Sequence, residues 1–176
     1  SIMQPKERRQ IGAHYTSERD ILKVVRSLFL DDLRAEFDVR KNDRSTGRAK
    51  RLEEFHDKIC RLKFFDPACG CGNFLVITYR ELRQLELETL KELLGTQKEF
   101  TLDEVNRLSQ VDVDQFYGIE IGEWPARIAE VALWLMDHQM NLRVSEAFGQ
   151  LYQRLPLKKS PHIRCANALR ADWKQI

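Results

Sequence analysis

Asp66-Pro67-Ala68-Cys69-Gly70-Cys71-Gly72-Asn73-Phe74 is the stretch whose reading decides the fold. The residues leading into it, Leu62-Lys63-Phe64-Phe65-Asp66, read as a short buried strand, and Pro67, which has no N–H to give a sheet ladder, ends that strand. Glycines at 70 and 72 let the backbone turn tightly and leave room for close approach. From Asn73 apolar residues recur at helical spacing to about Leu94, and Gly95 stops the helix. A helix beginning there points its free N–H groups and positive end back into the turn. Asp66, at the strand tip, adds a carboxylate. Strand, glycine turn and helix together suit a nucleotide-like ligand that carries a positive group.

Working outward, the same rhythm repeats. Gln115-Phe116-Tyr117-Gly118-Ile119-Glu120-Ile121 reads as a second strand. Pro125 then opens a helix in which Ile128, Val131, Ala132, Leu135 and Met136 predict a buried stripe. Trp124, Trp134 and Phe74 read as packing residues, with Trp124 also at the edge of a pocket. Pro161-His162-Ile163-Arg164-Cys165 is a weaker third strand. Upstream, Ser17 caps a helix expected over 17–38, and Leu52, Phe55, Ile59 and Leu62 predict a second over 48–60. Thr101-Leu102-Asp103-Glu104 has capping-box form and predicts a short helix. The order predicts an α/β domain with a parallel sheet flanked by helices, residues 1–60 forming a helical region and 61–176 the α/β part. Ligands of such sheets sit outside the C-terminal strand ends, here 66–73, 120–124 and 165–169.

Composition narrows the class. The chain has 176 residues, 43% of them hydrophobic and 32% charged, which fits one globular domain. No apolar run approaches the ~20 residues of a membrane span, so no membrane partner is expected. The start, Ser1-Ile2-Met3-Gln4-Pro5-Lys6, lacks the apolar core of a secretory signal, and four irregularly spaced cysteines do not form a disulfide framework. A cytoplasmic setting is expected. Net charge is +2, but residues 1–63 carry 16 Lys/Arg against 11 Asp/Glu, residues 64–150 carry 7 against 15, and residues 151–176 carry 6 against 1. The basic flanks can track phosphates or simply be solvated helical surface.

Several chemistries are disfavoured. A dinucleotide fold wants a third glycine after Gly70-Cys71-Gly72, and a P-loop wants Gly-Lys-Ser/Thr; neither is present. Taken alone, Gly-x-Gly equally suits a merely tight strand–helix turn. Cys69-x-Cys71 lacks a second paired motif, and His14, His56, His138 and His162 are scattered, so no metal site is expected.

The full string supports more. Residues 66–75 resemble, nearly letter for letter, the Asp-Pro-Ala-Cys-Gly-x-Gly-x-Phe-Leu motif with which amino-methylating DNA methyltransferases, chiefly of the adenine-N6 type, bind S-adenosylmethionine. Ile11-Gly12-Ala13-His14-Tyr15-Thr16-Ser17 is similar to the Gly-x-Tyr/Phe-Tyr-Thr-Pro segment that precedes that motif. His14 and Ser17 depart from it in the manner of the long single-chain type II restriction–modification enzymes. The resemblance implies a partial Rossmann-like, S-adenosylmethionine-dependent methyltransferase domain, with double-stranded DNA as the partner of the parent protein through regions outside this chain.

It also implies a pocket. Thr16, helped by Tyr15, would hold the methionine carboxylate, and Asp66 would face the methionine amino group. The backbone of Ala68, Cys69 and Gly70 would run beside the cofactor. Glu120 would take both ribose hydroxyls, which its two acceptor oxygens allow, although a lone strand-end glutamate is often only a solvated charge. Ile121 would pack on the adenine ring. Asn167 would meet the adenine amino group, an Asx-turn role remaining open. Ala168, beside it, stands where relatives often have an aromatic. Asp66 and Glu120 are 54 residues apart, which the long helix and the segment 95–114 account for.

The family's catalytic Asn/Asp-Pro-Pro-Tyr/Phe string does not occur; the five prolines, Pro5, Pro67, Pro125, Pro156 and Pro161, are never adjacent. The expectation is therefore a donor-binding portion cut before its acceptor site. It would be inactive alone and inclined to self-associate through an exposed sheet edge. Two alternatives are a complete module that binds S-adenosylmethionine or nucleic acid, and a portion of an RNA or protein-glutamine methyltransferase, whose motifs are shared.

Overall fold

Three parallel strands organise the molecule. In the computed structural model, which describes residues 16–95, 109–149 and 160–173, they are β1 (Phe64–Asp66), β2 (Phe116–Glu120) and β3 (His162–Cys165), in the spatial order β1-β2-β3. Phe64 pairs with Phe116, Asp66 with Gly118, and Glu120 with Cys165. The register brings Asp66, Glu120 and Cys165 to the same end of the sheet. β1 lies at one edge. Successive side chains alternate between faces. Phe64 and Phe116 point to the helical side, where their rings stack 5.1 Å apart, Tyr79 meets Phe116 edge-on at 5.3 Å and Phe29 meets Phe64 at 5.0 Å. Phe65 and Tyr117 point the other way, beside Lys63 and Trp173. Phe65 is 41% exposed, so β1 is buried on one face rather than wholly buried as expected.

The helices form where capping and spacing predict them. Ser17 Oγ accepts from Asp20 N at the start of α1 (Glu18–Val25). One π-helical turn, Arg26–Leu30, in which Asp31 N–H reaches back to Arg26 C=O, joins α1 to α2 (Asp31–Lys41). The extra residue in that turn lets Leu30 be buried in one cluster while Phe29 packs on β1. Next come α3 (Arg48–Arg61) and, after β1, α4 (Asn73–Leu94), which ends at Gly95 as predicted. α5 (Glu123–Phe148) follows β2. Its third residue, Pro125, lacks an N–H that has no intrahelical partner in the first turn anyway. The segment Thr101–Glu104 lies outside the described residues. No helix among the described residues is long and apolar enough to cross a membrane.

α4 is the central post. Leu75, Tyr79, Leu82 and Leu85 on it join Leu52, Phe55 and Ile59 of α3, Phe116 of β2, and Ala129 and Leu133 of α5 in one core. A buried polar chain runs through the same contact. Tyr79 Oη donates to Asp137 Oδ1 at 2.5 Å, Asn141 Nδ2 donates to Asp137 Oδ2 at 3.0 Å, and Arg83 donates to Asn141 Oδ1 at 2.8 Å. Arg83 also donates to Glu86. Glu86 Oε1 accepts from Gln110 N and Val111 N at 2.6 and 2.8 Å, and His56 Nε2 lies 3.2 Å from it. Buried polar groups satisfied in this way tie α3, α4, α5 and the approach to β2 into one arrangement.

α5 does not bury the stripe expected of it. Its buried residues are Ala126, Ala129, Leu133, Asp137, Met140, Asn141 and Val144, whereas Ile128, Val131 and Leu135 are about half exposed. Trp124 is 81% exposed and is not a packing residue among the described ones. The helix is apolar on two faces, and small alanines at 126 and 129 let the other face come closest to α4 and the glycine turn.

Glu86 makes acid stability testable. Burial opposes its charge, but Arg83, His56 and the Val111 N–H outweigh it and hold the carboxyl below its ordinary value. A folded-state value below the unfolded one means stability that is complete above the ordinary glutamate range and is lost as pH falls through the lowered value. Glu86→Gln is expected to cost about 3–5 kcal/mol at neutral pH, because Arg83 stays buried without its counter-charge. It should also flatten the loss of melting temperature between neutral and acidic pH, measured by circular dichroism. An unchanged acid limb would remove Glu86 from the account.

Candidate functional site

The three strand tips are cross-bonded through the end of β2. Pro67 and Ala68 turn the chain away from β1, and Asp66 Oδ1 fixes the turn by accepting from Ala68 N at 2.9 Å. Cys69 N then donates to Ile119 O at 3.0 Å, which lays the glycine turn against β2. Gly70 N donates to Glu120 Oε2 at 2.9 Å and Gly122 N to Glu120 Oε1 at 2.8 Å. From the other side, Ala166 N donates to Glu120 O at 2.9 Å, drawing in the segment after β3. Glu120 is thus the common anchor of all three loops. Gly70 and Gly72 have φ of 55° and 81°, a region that β-carbon-bearing residues rarely adopt.

Two glycines are required for space. A β-carbon on Gly72 would lie 2.9 Å from Ala129 Cβ, and one on Gly118 would lie 2.8 Å from Cys69 Sγ and 2.9 Å from Ile163 Cδ1. Gly118 therefore lets the turn settle onto β2 and Gly72 lets α4 start against α5. At Gly70, by contrast, a β-carbon would meet nothing within 4 Å, so the crest of the turn faces open space.

The acceptor inventory shows what this mouth can hold. Each carboxylate oxygen of Glu120 takes one backbone N–H and keeps a second lone pair, and the carboxylate cannot swing away from its two glycine donors. Asp66 has Oδ1 engaged with Ala68 and brings a second oxygen to the same end of the sheet. Two fixed carboxylates beside a glycine turn suit a ligand with vicinal hydroxyls and a cationic group.

The expected residues fall into place unevenly. Asp66, Ala68, Cys69, Gly70, Glu120 and Ile121 gather at the strand tips, with Cys165 Sγ 3.6 Å from Ile121 O. Asn167 follows Ala166 there and makes the Asx turn that its local sequence allowed, its Oδ1 accepting from Leu169 N at 3.0 Å. One lone pair of that oxygen remains. Ala168 is half-buried, and its carbonyl accepts from Trp173 Nε1 at 2.7 Å. Thr16 is exposed just ahead of α1, whose Ile21 and Val25 pack with Phe74 and Ile77 near the start of α4. Tyr15 lies outside the described residues. Gly118 and Gly122 were not among the expected site residues. Their signal was a glycine inside an otherwise apolar strand and one two residues after its acid.

The thiols at this turn are poor nucleophiles. Burial, then the carboxylates of Asp66 and Glu120, push the Cys69 thiol up to about 12, and burial with Glu120 also raises Cys71. Both stay protonated at neutral pH, and the thiolate is the reactive form. Among the described residues His56, Cys60 and Glu86 do cluster with their ligand atoms within 4.8 Å. Glu86 Oε1, however, already receives two backbone N–H groups as well as facing His56, so the cluster is a hydrogen-bonded brace.

Comparison with known proteins adds the family. Residues 41–176 match the family described as MmeI, DNA-methyltransferase domain. The whole chain is 39% identical, over 177 aligned residues, to DNA methyltransferase A of Bacillus subtilis strain 168, covering 19% of that protein. It also superimposes, with a TM-score of 0.88 and 55% identity over 99% of its length, on the type IIL restriction–modification enzyme MmeI solved in complex with DNA, covering 22% of that chain. The chain thus spans about a fifth of the length of these relatives.

Gly118→Ala tests the packing beneath the site. The added methyl overfills a closed contact and is expected to cost about 1–3 kcal/mol in denaturant unfolding. Cys69→Ala in the same chain, which removes the sulfur it meets, should recover part of that loss. Full stability of the single variant would show that the turn does not sit on β2 as described.

Proposed function

The chain belongs to the MmeI DNA-methyltransferase domain family, and from that premise we propose that its strand tips are the S-adenosylmethionine site of an adenine-N6 DNA methyltransferase. The observation that carries this reading is the Glu120 carboxylate, pinned by the N–H groups of Gly70 and Gly122 with a lone pair free on each oxygen. A carboxylate so held is pre-oriented for the two hydroxyls of a ribose, and little conformational entropy remains to be lost on binding.

The neighbouring residues fit the rest of the molecule. Asp66 supplies negative charge for the methionine amino group, and Thr16 with Tyr15 would hold the carboxylate at the other end. The backbone of Ala68, Cys69 and Gly70 passes with no side chain at the crest of the turn, so the ligand can lie against it. Ile121, 69% exposed, offers an apolar surface to the adenine ring, and Asn167 and Ala168 close the far side. When bound, S-adenosylmethionine supplies an activated methyl group on a positively charged sulfur. The share of this chain is to fix that donor in position, which lowers the entropic part of the barrier to transfer.

In this reading residues 61–176 form the donor-binding unit and residues 1–60 the helical region, whose helices α1 to α3 pack on it. The acceptor is the exocyclic amine of an adenine in double-stranded DNA, held by parts of the parent protein that carry the Asn/Asp-Pro-Pro-Tyr/Phe chemistry. The adenine preference rests on the likeness of residues 66–75 and 11–17 to that class and on Asn167.

Isothermal calorimetry with S-adenosylmethionine tests the proposal. The unaltered chain should bind with saturable heat. Glu120→Gln and Asp66→Ala should each weaken binding at least about 10-fold, the scale of a hydrogen bond to a charged group. Circular dichroism on the same samples separates lost binding from lost fold. Binding that survives both substitutions unchanged in folded protein would overturn the assignment.

A further inference from the structure

The outer face of α5 is patterned for burial, and none of the described residues covers it. Trp124, Ile128, Val131, Leu135, His138 and Leu142 follow one another at spacings of four, three, four, three and four residues, the repeat of a helix that packs lengthwise on another helix. Trp124 is 81% exposed, Ile128 49%, Val131 51%, Leu135 57% and Leu142 46%. This row lies opposite Ala126, Leu133 and Met140, the line that faces the core. It extends for about 27 Å at the helical rise.

The flanking positions reinforce the pattern. Pro125, Ala132 and Gln139 border the row on one side and Arg127, Trp134 and Asn141 on the other, and the row itself carries no Asp, Glu, Lys or Arg. Of the charges of α5, Arg127 and Glu146 stand at the edges of the row, near its two ends, and Glu123, Glu130, Asp137 and Arg143 stand farther round the helix. A helix face turned permanently to water carries charge; an apolar stripe without it marks a contact surface.

We propose that this face seats an α-helix from a further part of the same polypeptide, one bearing its own apolar row of alternate four- and three-residue spacing. The length of the relatives argues for this occupant. These residues amount to 19% of one relative and 22% of another, so most of such a polypeptide lies outside them. A tethered helix meets the seam at an effective concentration of the order of millimolar, far above that of a second copy. The seam starts beside the strand tips at Trp124 and runs away from them along the side of α5 opposite the core. The proposal does not depend on which donor those tips bind.

Photocrosslinking in the full-length protein tests it. With p-benzoylphenylalanine replacing Leu135, the expected product is an intramolecular cross-link, mapped by mass spectrometry to a helical peptide outside residues 1–176. A cross-link between two copies, one confined to residues 1–176, or none at all overturns the proposal. Val131→Glu combined with Leu135→Glu provides a second reading. In the full-length protein it should lower the thermal midpoint by several degrees while Arg143→Glu leaves it in place. An unchanged midpoint in the double variant would show that the seam faces water.

Discussion

The Glu120 carboxylate is the constraint on which the rest of the site depends. Three loops leave the same end of the sheet, and one residue joins all of them. Glu120 gives one carboxylate oxygen to the glycine turn after β1, the other to the loop that starts α5, and its carbonyl to the segment after β3. A shorter acid would not span both amides, and an amide side chain would present a donor to one of them. The same group that builds the mouth is the one best placed to bind a ligand. The carboxylate is therefore held in place by the fold's own hydrogen bonds.

Behind this mouth the fold is rigid for separate reasons. Gly118 and Gly72 permit contacts that any β-carbon would block, so the turn and the helix after it sit directly on β2 and α5. The polar chain from Tyr79 through Asp137, Asn141, Arg83 and Glu86 to His56 then fixes how α3, α4 and α5 meet. Apolar packing tolerates small slips between helices. A buried chain of paired polar groups does not, since each slip strands a donor or a charge.

Much of this was legible in the residues themselves. Pro67 and the two glycines bounded β1 and α4 because each acts through its own backbone geometry, which neighbours cannot change. The cap at Ser17 and the stop at Gly95 are local in the same way. The parallel sheet followed from the order of strands and helices, and the methyltransferase family from residues 66–75. What was not legible depended on contacts distant in sequence. The period of α5 pointed to a stripe through Ile128, Val131 and Leu135, whereas the proximity of Ala129 to the glycine turn puts the face with Ala126, Ala129 and Leu133 inward. The role of Gly122 was hidden because its N–H matters only once Glu120 is fixed in space. Asn167 showed both of its readings, and the Asx turn is present while a lone pair remains for the other.

The central claim is that a donor molecule docks on the carboxylate held between Gly70 and Gly122. The amide resonances of those two glycines report on it directly, because anything accepted by Glu120 alters the hydrogen bonds they donate. In a titration with S-adenosylmethionine followed by nitrogen-15 NMR, both resonances should move together and saturate at one concentration, while core amides such as those of Leu52 and Phe55 stay still. Resonances of Gly70 and Gly122 that remain in place at saturating ligand would contradict the account.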